Sequence, residues 1–178
     1  RLRGDLPAAT AALANAAATA VSEDDIAATA VDRSALVGFQ RGNPAEAMAI
    51  LREALNQITD PMRAMSLRSE VALFGTLMGR FDDVALIAAT SPEERSAADS
   101  PTRWTLGLNE IYALTMLGRV ETVEELSAVL LADNPTIVGE RPQELDLLLS
   151  MCGAARIQTG ELAQGIAELD SALDQRRD

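Results

Sequence analysis

Five glycines recur along the chain at near-equal spacing, each followed by a short polar link and a new amphipathic run. They are Gly4 in "RGDLPAA", Gly42 in "RGNPAEA", Gly79 in "MGRFDDV", Gly118 in "LGRVETV" and Gly160 in "TGELAQG". Their intervals of 38, 37, 39 and 42 residues match an array of two-helix repeats. Glycine at each mark allows the backbone turn that ends one helix, and the polar link starts the next. In "QRGNPAEAMAILREAL", Asn43 is expected to cap the following helix and Pro44 to take its first position, where a missing N–H costs nothing. Glu46 is expected to complete a capping box.

Counting from each glycine exposes a second regularity. Position +5 reads Ala9, Ala47, Val84, Val123 and Gly165; +9 reads Leu13, Leu51, Ala88, Ser127 and Leu169; +12 reads Ala16, Ala54, Ser91, Leu130 and Ala172. Small side chains at helical spacing let antiparallel helices approach closely while a larger one fills the gap. The helices that precede each glycine have start signals of their own: Ser22 before Glu23, Asp24 and Asp25; Asp60-Pro61; Ser100-Pro101; and Arg141-Pro142. Together these predict helices near 6–20, 23–40, 44–58, 61–78, 81–90, 101–117, 120–132, 142–158 and 161–175. The stretch Ser91 to Ser100 is the one long irregular piece. Nine helices that open on the second half of a pair imply one repeat domain over 1–178, cut from a longer array or a longer chain.

Composition points the same way. The chain is 48% hydrophobic but only 3% aromatic, so its core must be Ala, Leu, Val, Ile and Met in close contact, which favours helix on helix. All 15 basic residues are Arg, His is absent, and the net charge is -12. An acidic surface repels phosphate backbones, which argues against direct nucleic-acid binding. Without His the commonest general base and metal ligand are missing, and without Lys so is the usual phosphate partner; no Gly-rich phosphate loop occurs. The acidic clusters at 23–25, 82–83, 93–94 and 124–125 sit near helix starts, where the helix dipole explains them, and none has calcium-loop spacing. No enzymatic activity, metal or cofactor is therefore expected.

Cys152 is the single cysteine, so no internal disulfide can form; it reads as a packing residue in a reducing, cytoplasmic setting. Leu6 to Ser22 is uncharged, yet its Ala, Thr, Pro7 and Asn15 make it too polar for a membrane span. "RSEVALFGTLMGR" reads as a core helix, because its two Arg residues bracket a face rather than line it.

The repeat pattern resembles the tetratricopeptide family. The fifth unit carries it in Gly153, Gly160, Gly165, Leu169 and Ala172, and the second in Ala35, Gly42, Ala47, Leu51 and Ala54; the fourth adds Pro135 at the closing position. The family's Trp and Tyr positions are mostly aliphatic here, and the intervals exceed the usual repeat of about 34 residues. The texture, irregular and rich in Ala and Arg, is similar to the helical-repeat region of large bacterial LuxR-type regulators of the maltose-regulator kind. In these an ATPase precedes the repeats and a helix-turn-helix follows.

The resemblance implies a right-handed superhelical array of antiparallel helix pairs, a tetratricopeptide-like α-solenoid. Its concave face would be lined by the first helix of each pair. The family's groove positions fall on Thr29, Asp32, Leu36, Phe39 and Gln40; on Ser66, Ser69, Leu73, Thr76 and Leu77; on Thr105, Leu108, Tyr112, Thr115 and Met116; and on Leu147, Ser150, Ala154, Ile157 and Gln158. One charge among them disfavours the basic clamp by which chaperone adaptors grip a terminal carboxylate. Phe39, Leu73, Leu77, Leu108, Tyr112 and Met116 are the candidate contacts for an apolar peptide, a partner helix or a small effector, unless they pack against the next helix. Trp104 is expected to pack between repeats. The implied function is a non-catalytic module of a cytoplasmic signalling or transcriptional regulator that engages a protein partner, other domains of its own chain or a small effector. The alternative is a stand-alone adaptor that holds an apolar peptide.

Overall fold

The computed structural model describes residues 5–91, 93–94, 99–136 and 142–174, the last four by backbone alone. Among these residues the chain is all-helical, with nine principal helices. They are α1 (Leu6–Thr19), α2 (Glu23–Ala35, prolonged by a π turn, Leu36–Gln40), α3 (Pro44–Leu55), α4 (Pro61–Leu77), α5 (Phe81–Ala88), α6 (Ser100–Met116), α7 (Val120–Asp133), α8 (Pro142–Gln158) and α9 (Leu162–Asp174). Each packs on its neighbours in sequence, and the even-numbered helices α2, α4, α6 and α8 also touch one another in series.

Local chemistry sets the boundaries. Asp5, Ser22, Asn43, Asp60 and Asp99 each accept a hydrogen bond from the backbone N–H three residues on, satisfying a donor the helix leaves open. Ser100-Pro101 marks the start of α6, but the cap is Asp99, one residue earlier. At Asn43 the capping box is only half formed: Glu46 bonds the Asn43 side-chain amide, while the Asn43 backbone N–H goes to Val37 O. A reciprocal box occurs instead at Ser91 and Glu94, within the stretch read as irregular. Gly4, Arg141, Pro92 and residues 95–98 lie outside the described residues.

The four described repeat glycines have φ between 66° and 90°. At Gly118 the amide bonds Thr115 O and the next amide, of Arg119, bonds Leu114 O, which closes the helix in a Schellman turn. The same pair of bonds recurs at Gly79 and Gly160. Gly42 differs by one residue, since Asn43 N–H reaches back six positions to Val37 rather than five. The π turn supplies that extra residue. Within it, Gly38 lies against the Phe74 ring, whose Cε1 is 2.2 Å from where a Cβ would be.

The small-residue register builds the core. Ala47, Val84, Val123 and Gly165 at +5 are all buried, and Leu51, Ala88 and Ser127 at +9 are too. α5 ends at Ala88, short of the predicted 90, so Ser91 at +12 falls outside the helix and is exposed. Arg68 of α4 donates to the carbonyls of Ile87 and Ala89 and pairs with Glu94 at 2.8 Å, satisfying the carbonyls α5 leaves open. Arg156 gathers Glu124 of α7 at 3.1 Å and Glu168 of α9 at 3.2 Å around α8. Trp104 packs in the core among α6, α7 and α8, and Cys152 is half-buried, its thiol donating to Ser127 Oγ at 3.3 Å. Burial pushes that thiol's pKa up, away from a reactive thiolate.

Glu23 and Asp24 do more than sit at a helix start. The Glu23 carboxylate accepts from Thr59 N, Thr59 Oγ1 and Asp60 N, and Asp24 meets Arg63 at 2.6 Å, tying the start of α2 to the start of α4. The Thr59 hydroxyl first, then the two backbone amides, hold the Glu23 pKa below its ordinary 4.5, and the Arg63 hydrogen bond lowers that of Asp24. A carboxylate depressed on folding contributes stability that is present above its unfolded pKa and lost as pH falls through the folded value. Glu23→Gln is therefore expected to lower the melting temperature at pH 7, with the gap to wild type closing as pH falls below 4.5, read by thermal melts across pH.

Candidate interaction surface

Each even-numbered helix has one stripe turned away from the core. On α4 it runs through Met62, Ser66, Glu70, Leu73 and Leu77, spaced three or four residues apart so that they share one face. On α6 it runs through Thr105, Asn109, Tyr112 and Met116, and on α8 through Gln143, Leu147, Ser150, Ala154 and Gln158. On α2 Asp25, Ala28, Asp32, Leu36 and Phe39 occupy it, the last two carried by the π turn.

Of the six candidate contacts, Phe39, Leu77 and Met116 are the most open, at 56%, 58% and 50% exposure. All three stand in the last turn of their helices, just before the repeat glycine. Leu73 and Tyr112 are half-buried; Tyr112 meets the Phe81 ring edge-on at 5.9 Å, which fixes its orientation. Leu108, four residues before Tyr112 and eight before Met116, is 9% exposed and belongs to the core around Trp104 rather than to the stripe. Phe39 leans on Phe74 at 5.2 Å and so joins α2 to α4.

Among the other groove positions, Ser69 and Thr115 are buried, and Thr115 returns its hydroxyl to Ile111 O. Thr29 lines a cleft beneath α1 rather than the stripe. Met62 and Glu70 belong to the α4 stripe and were legible from Ser66 by stepping four residues either way. Burial alone raises the Glu70 pKa, and neither Glu70 nor Asp32 has an ion pair or side-chain hydrogen bond with a described residue.

Such a stripe offers apolar contact area among polar groups, with the carboxylates Asp25, Asp32 and Glu70 on it, and among its described residues no nucleophile, base and oxyanion donor are assembled. Among the described residues no helix is long and apolar enough to cross a membrane. Comparison with family models, curated proteins and solved structures gave no match.

Proposed function

We propose that the chain is a non-catalytic, tetratricopeptide-like module whose even-numbered helices form the concave inner row of a right-handed superhelix. That row takes up a protein partner or another domain of the same polypeptide. The stripe of exposed Phe39, Leu77 and Met116 carries this reading, because each stands in the last turn before its repeat glycine, three residues ahead of Gly42, where the π turn adds one, and two ahead of Gly79 and Gly118. Contiguous exposed apolar surface is a mark of interaction sites. The parent is read as a cytoplasmic bacterial regulator of LuxR type, in which partner or effector binding shifts the array between two states of different affinity.

A photo-crosslinking residue placed at Leu77 or Met116 in the full-length protein, in cells, is expected to capture a discrete partner. The same residue at Leu86, 80% exposed on α5, is expected to capture none. Crosslinks that map to an ATPase or helix-turn-helix segment of the same polypeptide support the regulator; a separate protein supports the adaptor. Equal capture from Leu77 and Leu86 would remove the face from consideration. Leu77→Asp is expected to stay within about 0.5 kcal/mol of wild-type stability, as exposed substitutions do, so loss of capture would not reflect unfolding.

A further inference from the structure

A cleft of about 230 Å³ opens between α1 and the α2–α3 pair. The repeat register explains why it is there. Ala17 and Ala20, at +13 and +16 from Gly4, stand where the next repeat has Leu55 and Ile58, both packed into the core. Two large side chains replaced by alanine leave room that neighbouring helices fill only in part. α1 accordingly buries none of its residues and spans the cleft through Ala17 and Ala20.

The walls are chemically divided. Ala17, Ala20, Ala30 and Ile50 give an apolar floor, while Arg33 of α2 and Glu53 of α3 bring opposite charges to the same space. Neither side chain has an ion pair or hydrogen bond with any described residue, although both line one cleft. Gln57 uses its amide N–H on Glu53 O, 3.2 Å away, which leaves its side-chain carbonyl as an acceptor.

We infer that this cleft binds a small zwitterion of the amino-acid class. The carboxylate of such a ligand meets the fork of Arg33, its ammonium meets Glu53 and the Gln57 carbonyl, and its side chain covers the alanine floor. A guanidinium suits a carboxylate through paired, charge-assisted bonds, and two partners of opposite sign select a molecule that carries both charges. The site is independent of the apolar stripe.

The test is thermal shift and calorimetry on the whole chain, with the standard amino acids as probes at about 10 mM, a concentration at which even a millimolar binder moves the melting point. At least one aliphatic amino acid, with L-leucine as the reference probe, is expected to raise the melting temperature, while isopentylamine and 4-methylpentanoate do not. Arg33→Met and Glu53→Gln are each expected to weaken binding about tenfold or more, equivalent to about 1.4 kcal/mol. Ala17→Leu, which restores the side chain found at the equivalent position 55, is expected to abolish binding and keep or raise the melting temperature. The inference is overturned by equal binding of the amine or the acid, by wild-type affinity in Ala17→Leu, or by the absence of any shift across the panel.

Discussion

Replacing Trp104 with alanine is expected to lower the unfolding free energy by about 3–5 kcal/mol, the cost of emptying a large aromatic site in a packed core. Trp104 is 1% exposed and shares a cluster with Ile111, Val123 and Leu148, so its ring joins α6, α7 and α8. Its indole N–H is buried with no hydrogen-bond partner among the described residues. Trp104→Phe removes that unpartnered donor along with part of the apolar area, and an unsatisfied buried group costs about 1–3 kcal/mol. The phenylalanine variant is therefore expected to keep most of the stability that alanine loses. Urea melts of the two variants check this, and equal losses would show that the indole nitrogen is satisfied in solution.

Gly165→Val is expected to cost about 3 kcal/mol and to release α9 selectively, at the upper end of overpacking penalties. A Cβ on Gly165 would stand 2.7 Å from Gly153 O and 3.1 Å from Ile157 N, and one on Gly153 would stand 2.9 Å from Gly165 O. These neighbours are backbone, so relief requires the two helices to separate. Separation also strains the Arg156 bridge to Glu168, which adds to the loss. In a repeat array each unit depends mainly on its neighbours. Hydrogen exchange should therefore show α9 amides losing protection while those of α2 to α4 keep it. Uniform loss along the chain would mean that the helices melt as one cooperative unit.

The Glu23 carboxylate and the α6 pair Leu108 and Met116 illustrate what a local pattern leaves open. The cluster "EDD" at 23–25 reads as a helix start, and Ser22 does cap α2 through Asp25 N–H. That Glu23 reaches Thr59 and Asp60 depends on how α2 lies against the α3–α4 loop, which no local pattern states. Similarly, Leu108 and Met116 sit at equivalent spacing on α6 with comparable apolarity, yet one is 9% and the other 50% exposed. Helical periodicity identifies a face; it does not say where along that face a neighbouring helix ends. Leu108 lies under the crossing with α7 and α8, and Met116 lies in the last turn, beyond it.

What the amino-acid order determined by itself is the succession of helices and turns. Asn43-Pro44, Asp60-Pro61 and the positive-φ glycines act through bonds that span only a few residues, so their geometry is complete within one turn of chain. The buried +5 residues followed from the same register, because identical spacing places them on the same side of each second helix. Tertiary structure alone decided which charges meet, as in the grouping of Glu124 and Glu168 on Arg156, and which do not, as in Arg33 and Glu53. It also decided that Ala17 and Ala20 border open space while Ala47 is enclosed. The physical reason is that a side chain's burial and partners are set by the helix packed over it. For these residues that helix is formed by a different stretch of the chain.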